Sequence, residues 1–200
     1  MIEIFADQLS KWFVKRNWVE TEDTAVFQYG LETILANSLN LVTFFLLAIL
    51  FHRMLDGMVF LVLFIGIRQF TGGYHAKSYG GCYLTFCFIS LVLFILLRIT
   101  PSEWLRPLTI LLTLLGGLMI VLFAPAPNPE KTFSIDQLKR ARVISIVLVC
   151  VTGVAVLLMG SFTISLRHTY SAALSLLTIG GSLMTPTKTD KGGGKIEEGR

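Results

Sequence analysis

The segment Arg68-Gln-Phe-Thr-Gly-Gly-Tyr-His-Ala-Lys-Ser-Tyr-Gly-Gly-Cys82 places a guanidinium, an imidazole and a thiol in one polar interval between two strongly apolar runs. Nowhere else in the chain do these three groups stand so close together. A cysteine attacks as its thiolate, so a nucleophilic cysteine needs a base or a positive field nearby. Cys82 has candidates for both. It opens an apolar run directly after Gly80 and Gly81. If that run is helical, Cys82 sits in its first turn, where unpaired amides and the macrodipole stabilise a thiolate. His75 stands seven residues upstream. Along one straight helix that spacing is a rise of about 10.5 Å, too far for proton transfer, so pairing requires a break in the chain. Tyr79-Gly80-Gly81 can supply it, because glycine accepts turn conformations.

Each residue also has a plainer reading. A cysteine at the edge of a membrane helix is usually a small packed side chain. His75 alone suits an interfacial hydrogen bond, and Arg68 a snorkelling flank. Gly72 and Gly73 suit a helix end or close packing. Cys87 lies five residues deeper in an apolar run, and Cys150 lies mid-run without a polar neighbour. No further ligands at zinc spacing accompany His75 and Cys82, so neither metal nor cofactor is expected.

The elements that must position this segment are membrane helices. Hydrophobic residues make up 54% of the 200 positions and charged residues 15%, against about 25% charged in soluble proteins. The expected architecture is all-α, with about six transmembrane helices preceded by an amphipathic interfacial helix. That first helix is read from Ile2, Phe5, Leu9, Trp12 and Phe13, at three- and four-residue steps with Lys11, Lys15 and Arg16 between them. The apolar runs cover 33–51, 57–67, 82–97, 108–123, 143–166 and 169–184. The second is too short to span alone and needs Met54 and Leu55, or the motif itself, to extend it. A proline-rich loop, Ala124-Pro-Ala-Pro-Asn-Pro-Glu-Lys131, follows the fourth run and is closed by Lys139, Arg140 and Arg142. Residues 1–184 are expected to form one integral membrane domain, and 185–200 a disordered cytoplasmic tail.

With a cytoplasmic N-terminus, Lys11, Lys15, Arg16, Arg68, Lys77, Lys131, Lys139, Arg140, Arg142 and the tail lysines fall on the inner side. Arg53, Arg98, Arg106 and Arg167 fall on the outer side. This bias obeys the positive-inside rule and turns the Cys82 motif toward the cytoplasm. His52, Asp56 and His168 then lie on the outer side, away from Cys82. No basic, aromatic-interleaved patch suggests nucleic acid. Gly116, Gly117, Gly153 and Gly160 suit close helix contacts, within one chain or across a homodimer. The three cysteines are expected to be free thiols.

The motif resembles that of the accessory gene regulator protein B (AgrB) family, membrane endopeptidases of Gram-positive peptide quorum sensing. The family pattern is an arginine, then Gly-Gly-x-His-Ala, then a cysteine seven residues after the histidine. Here it reads Arg68, Gly72-Gly73-Tyr74-His75-Ala76 and Cys82. The run of spans and the Ala124-Pro125 loop also fit, whereas clustered lysines, frequent in that loop in the family, are replaced by a separated Lys131, Lys139 and Arg140. The resemblance implies a bacterial cell-membrane enzyme with Cys82 as nucleophile and His75 as base. Its substrate would be a precursor peptide with an amphipathic leader and an acidic C-terminal tail. Cleavage through a thioester acyl-enzyme would lead to a thiolactone or lactone signal, a reaction tied to quorum sensing and virulence regulation. Arg68 would bind the acidic tail or polarise the reacting carbonyl. The rival readings are a small peptide exporter and a non-catalytic membrane adaptor.

Overall fold

The computed structural model describes residues 2–72, 78–126, 134–160 and 166–184. Seven α-helices make up this part of the chain: α1 (Ile2–Lys15), α2 (Thr24–Leu50), α3 (Met54–Thr71), α4 (Tyr79–Ile99), α5 (Ser102–Phe123), α6 (Ile135–Met159) and α7 (Leu166–Met184). A short 3-10 turn, Thr21–Asp23, precedes α2. Helices α2 to α6 are each long and apolar enough to cross a membrane. The expected tail lies outside the described residues.

Helix ends are set by local chemistry more than by where the apolar runs stop. α1 closes on Asn17 in a left-handed conformation (φ 57°), which asparagine tolerates better than other non-glycine residues. The Trp18 amide then reaches back to the Phe13 carbonyl at 3.1 Å. The second apolar run becomes an 18-residue helix because it recruits Met54 and Leu55 at one end and Arg68 to Thr71 at the other. α6 begins eight residues before its apolar run and takes in Lys139, Arg140 and Arg142, which the sequence reading had assigned to a loop. Ser134 starts it through a capping box: its hydroxyl accepts from the Gln137 amide at 3.2 Å, and the Gln137 side chain accepts from the Ser134 amide at 3.0 Å. The same helix stops at Gly160 rather than at Leu166.

The sixth apolar run is the centre of the bundle. Thr169 to Leu176, Ile179 and Gly180 of α7 are all buried, and α7 packs mainly against α5 and α3. A helix shielded from lipid by its neighbours does not need a lipid-grade surface, which is why α7 carries so much serine and threonine. α5 and α7 approach to backbone contact. A Cβ on Gly116 would lie 2.5 Å from the Leu177 nitrogen, and one on Gly180 would lie 2.8 Å from the Met119 Cβ. Of the glycines expected to make close contacts, Gly116 does. Gly117 and Gly153 meet only the side chains of Val149 and Thr113 at ordinary distances, and Gly160 ends α6.

Around α7 the core is aromatic and aliphatic. Phe44, Phe60, Phe94, Leu97, Ile120 and Leu176 are essentially without exposure. The Phe44 ring lies 5.2 Å from Phe94 and 6.2 Å from Phe60, binding α2, α3 and α4. α1 packs on the start of α2 through Phe13 and Phe27, 5.1 Å apart. Ile4, Phe5, Trp12 and Trp18 stay exposed there, the surface expected of a helix in the headgroup region.

Candidate active site at one end of the bundle

The end of α3 and the beginning of α4 meet at the same end of the bundle as the end of α5. The Ala126 amide donates to the Thr71 carbonyl at 2.9 Å, and Gly72 and Ala126 pair as an isolated bridge. The proline-rich loop is thereby fastened to the motif. Gly72 has φ 71° and ψ −144°, a region open to glycine but not to residues with a Cβ. A Cβ there would also collide with the Ala126 carbonyl oxygen. Two independent constraints therefore require glycine at position 72.

Arg68 occupies the last turn of α3. Its guanidinium lies over the Phe64 ring, 5.2 Å from the centroid, and within electrostatic reach of Cys82. Cys82 is an exposed free thiol. Its amide donates to the Ser78 carbonyl at 3.0 Å, and the Ser78 hydroxyl caps the helix by accepting from the Gly81 amide at 3.1 Å. Cys82 thus closes the first turn of α4, facing the positive end of its macrodipole. The helix begins at Tyr79, so Gly80 and Gly81 lie inside it. They do not form the break expected there; the chain leaves the helix at Ser78. Gly73 and His75 lie outside the described residues. Of the other thiols, Cys87 is half-buried deeper in α4 and Cys150 is exposed midway along α6.

The reactive helix is secured to α2 where the Tyr83 hydroxyl lies 3.0 Å from that of Thr43, and the Tyr79 phenol lies within electrostatic reach of Glu32. The Gln28 amide donates to the Glu32 carboxylate at 3.1 Å. Glu32 is therefore an acid at the motif end that the sequence reading passed over. Its signal was modest: a lone carboxylate directly preceding a charge-free run.

Asp56, expected on the outer side away from Cys82, stands at the opposite end. It is buried and hydrogen-bonded to His168 at 2.7 Å, so it does not serve Cys82.

A profile of the Accessory gene regulator B family matches residues 4–185, nearly the whole chain. The chain belongs to this family. It is 25% identical over 197 residues to Accessory gene regulator protein B of Staphylococcus carnosus, covering 96% of this chain and 98% of that one. It is 22% identical over 145 residues to an AgrB-like protein of Clostridium perfringens, covering 70% and 68%. An AgrB-like protein of Clostridium beijerinckii is 24% identical over 132 residues, or 66% of each chain. No solved structure matches. As an accessory gene regulator B protein, the chain is a multi-pass membrane protein with a role in the accessory gene regulator system, and its motif residues Arg68, Gly72 and Cys82 gather at one end of the bundle.

Proposed function

We propose that this protein is a membrane cysteine endopeptidase that cleaves the precursor of a peptide signal and promotes its cyclisation. The reading rests on one observation above the others. An exposed thiol closes the first turn of α4 within electrostatic reach of the Arg68 guanidinium, in a family of quorum-sensing membrane proteins. His75 takes the proton of Cys82, and Cys82 attacks the carbonyl at the junction between the peptide core and its acidic tail. The tail leaves as an amine with the proton returned by His75. The core remains on Cys82 as a thioester.

A cysteine or serine side chain within the peptide core then attacks the thioester and closes the ring, restoring the Cys82 thiol. A thioester retains much of its acyl-transfer potential, so closure needs no nucleotide. It does need water kept away, which an apolar boundary provides. Arg68 is the group placed to bind the acidic tail or to stabilise the carbonyl oxygen as it gains charge. The motif faces the cytoplasm, where the precursor is made. Gly72 turns the chain out of α3 ahead of His75.

Incubating the protein in liposomes with candidate precursor peptides tests the reading by mass spectrometry. A covalent adduct of the peptide core on Cys82, with release of the tail, is the expected result. An exporter would move peptide across the bilayer without an adduct, and an adaptor would do neither.

A further inference from the structure

At the end of the bundle opposite Cys82, the turn from α2 to α3 and the start of α7 form an open cavity of about 540 Å³. Its polar wall is His52, Arg53, Asp56 and His168. Asp56 is only 4% exposed, yet both its carboxylate oxygens are engaged. One lies 2.7 Å from the His168 Nδ1, and the other lies 3.6 Å from an Arg53 guanidinium nitrogen. The Asp56 backbone carbonyl also accepts from the Ser171 hydroxyl at 2.6 Å. The carboxylate thus holds Arg53 and His168 at the cavity wall, and the Arg53 guanidinium has further N–H groups to donate.

His52 supplies an independent sign. α2 ends in a Schellman motif, with the Arg53 amide bonded to the Ala48 carbonyl at 2.9 Å and the His52 amide to Ile49 at 3.0 Å. The residue at the left-handed position of that motif is ordinarily glycine. Here it is His52, at φ 54°. An imidazole therefore stands on the cavity wall at a position where glycine is conformationally preferred.

The remaining walls are apolar. Ile49 and Leu55 line the cavity and are 58% and 66% exposed, on helices long and apolar enough to cross a membrane. The mouth therefore opens on the lipid-facing flank at the end of the span. A ligand that suits this site has an anionic head and an apolar tail. We propose that the cavity binds the phosphate headgroup of an anionic phospholipid, with Arg53 and His52 on the phosphate and an acyl chain along Ile49 and Leu55.

The full chain, reconstituted in phosphatidylcholine vesicles containing phosphatidylglycerol and released into detergent, can be weighed by native mass spectrometry. Preferential retention of phosphatidylglycerol over phosphatidylcholine is expected. Arg53→Gln should cut that preference about fivefold, the effect of one cation near a phosphate. His52→Gly should cut it about two- to tenfold, the effect of one hydrogen bond. Glycine suits the left-handed position, so this second variant should fold at least as well as the native chain and carries the test if Arg53→Gln does not fold. Inorganic phosphate in excess should leave retention unchanged. Equal retention of the two lipids, an unaltered preference in His52→Gly, or displacement by phosphate alone would each overturn the proposal.

Discussion

Cys82 differs from Cys150 in its surroundings rather than in exposure. Cys150 is exposed as well, but on the flank of an apolar helix, where nothing stabilises a thiolate. Cys82→Ala should therefore abolish precursor cleavage without lowering yield or membrane insertion, while Cys87→Ala and Cys150→Ala stay active. Full cleavage by Cys82→Ala would rule out the cysteine mechanism. The base can be examined separately. His75→Gln keeps a hydrogen-bonding side chain and removes the proton acceptor. Alkylation of Cys82 at neutral pH should slow about tenfold or more, the effect of one lost pKa unit, and recover above about pH 9, where an unassisted thiol ionises. An alkylation–pH curve that does not move would leave activation to Arg68 and the start of α4. Gly72 was legible only as a glycine of a motif. Its positive φ and its contact with Ala126 come from a partner 54 positions away.

At the scale of helices, the α5–α7 crossing is the contact least tolerant of change. Gly116→Ala places a methyl against the α7 backbone, 2.5 Å from the Leu177 nitrogen. Backbone cannot turn aside as a side chain can, so the cost should be at least the roughly 1–3 kcal/mol typical of overpacking. Gly117→Ala meets only Val149, at 3.5 Å, and gains up to about 1 kcal/mol of helix propensity. Thermal unfolding in detergent should thus show a fall of several degrees for Gly116→Ala and no fall for Gly117→Ala. Equal midpoints for the two would show that the helices do not cross at Gly116. The sequence marked Gly116 and Gly117 alike, because spacing along one helix cannot tell which residue faces the partner. Gly180, on the other side of the crossing, had no apolar periodicity to draw attention to it.

For the whole molecule, the test is topology. The Gly72–Ala126 bridge brings the motif and the loop after α5 to one end, while His52, Asp56 and His168 gather at the other. In an otherwise cysteine-free chain, a cysteine placed at Ser78 or at Ser134 should resist an impermeant thiol reagent added to intact cells. A cysteine at His52 should react. Labelling of Ser78 or Ser134 positions from outside would reverse the proposed cytoplasmic orientation of the motif. The positive-inside bias that motivates this prediction is purely a sequence property. It comes from the cost of moving arginine and lysine across a bilayer, which depends on their number near each span and not on how the helices pack.

Membrane residence, the succession of apolar helices and the chemical identity of the Arg68–Cys82 motif were determined by the sequence alone. Each depends on local composition or on short spacing: apolar runs partition into lipid whatever they pack against, and the motif carries its own residue types. Where helices begin was legible only in part. Caps such as Ser134 with Gln137 override the hydropathy boundary, and the expected break at Gly80 and Gly81 gave way to a cap at Ser78. The tertiary structure alone decided that α7 is the central helix, that Glu32 of α2 comes within electrostatic reach of Tyr79 in the turn bearing Cys82, and that Asp56 meets His168 across 112 residues. Those pairings depend on which helix faces come together in space. Helix periodicity shows that a face exists but not what will cover it, since in a bilayer lipid and protein offer nearly the same apolar surroundings.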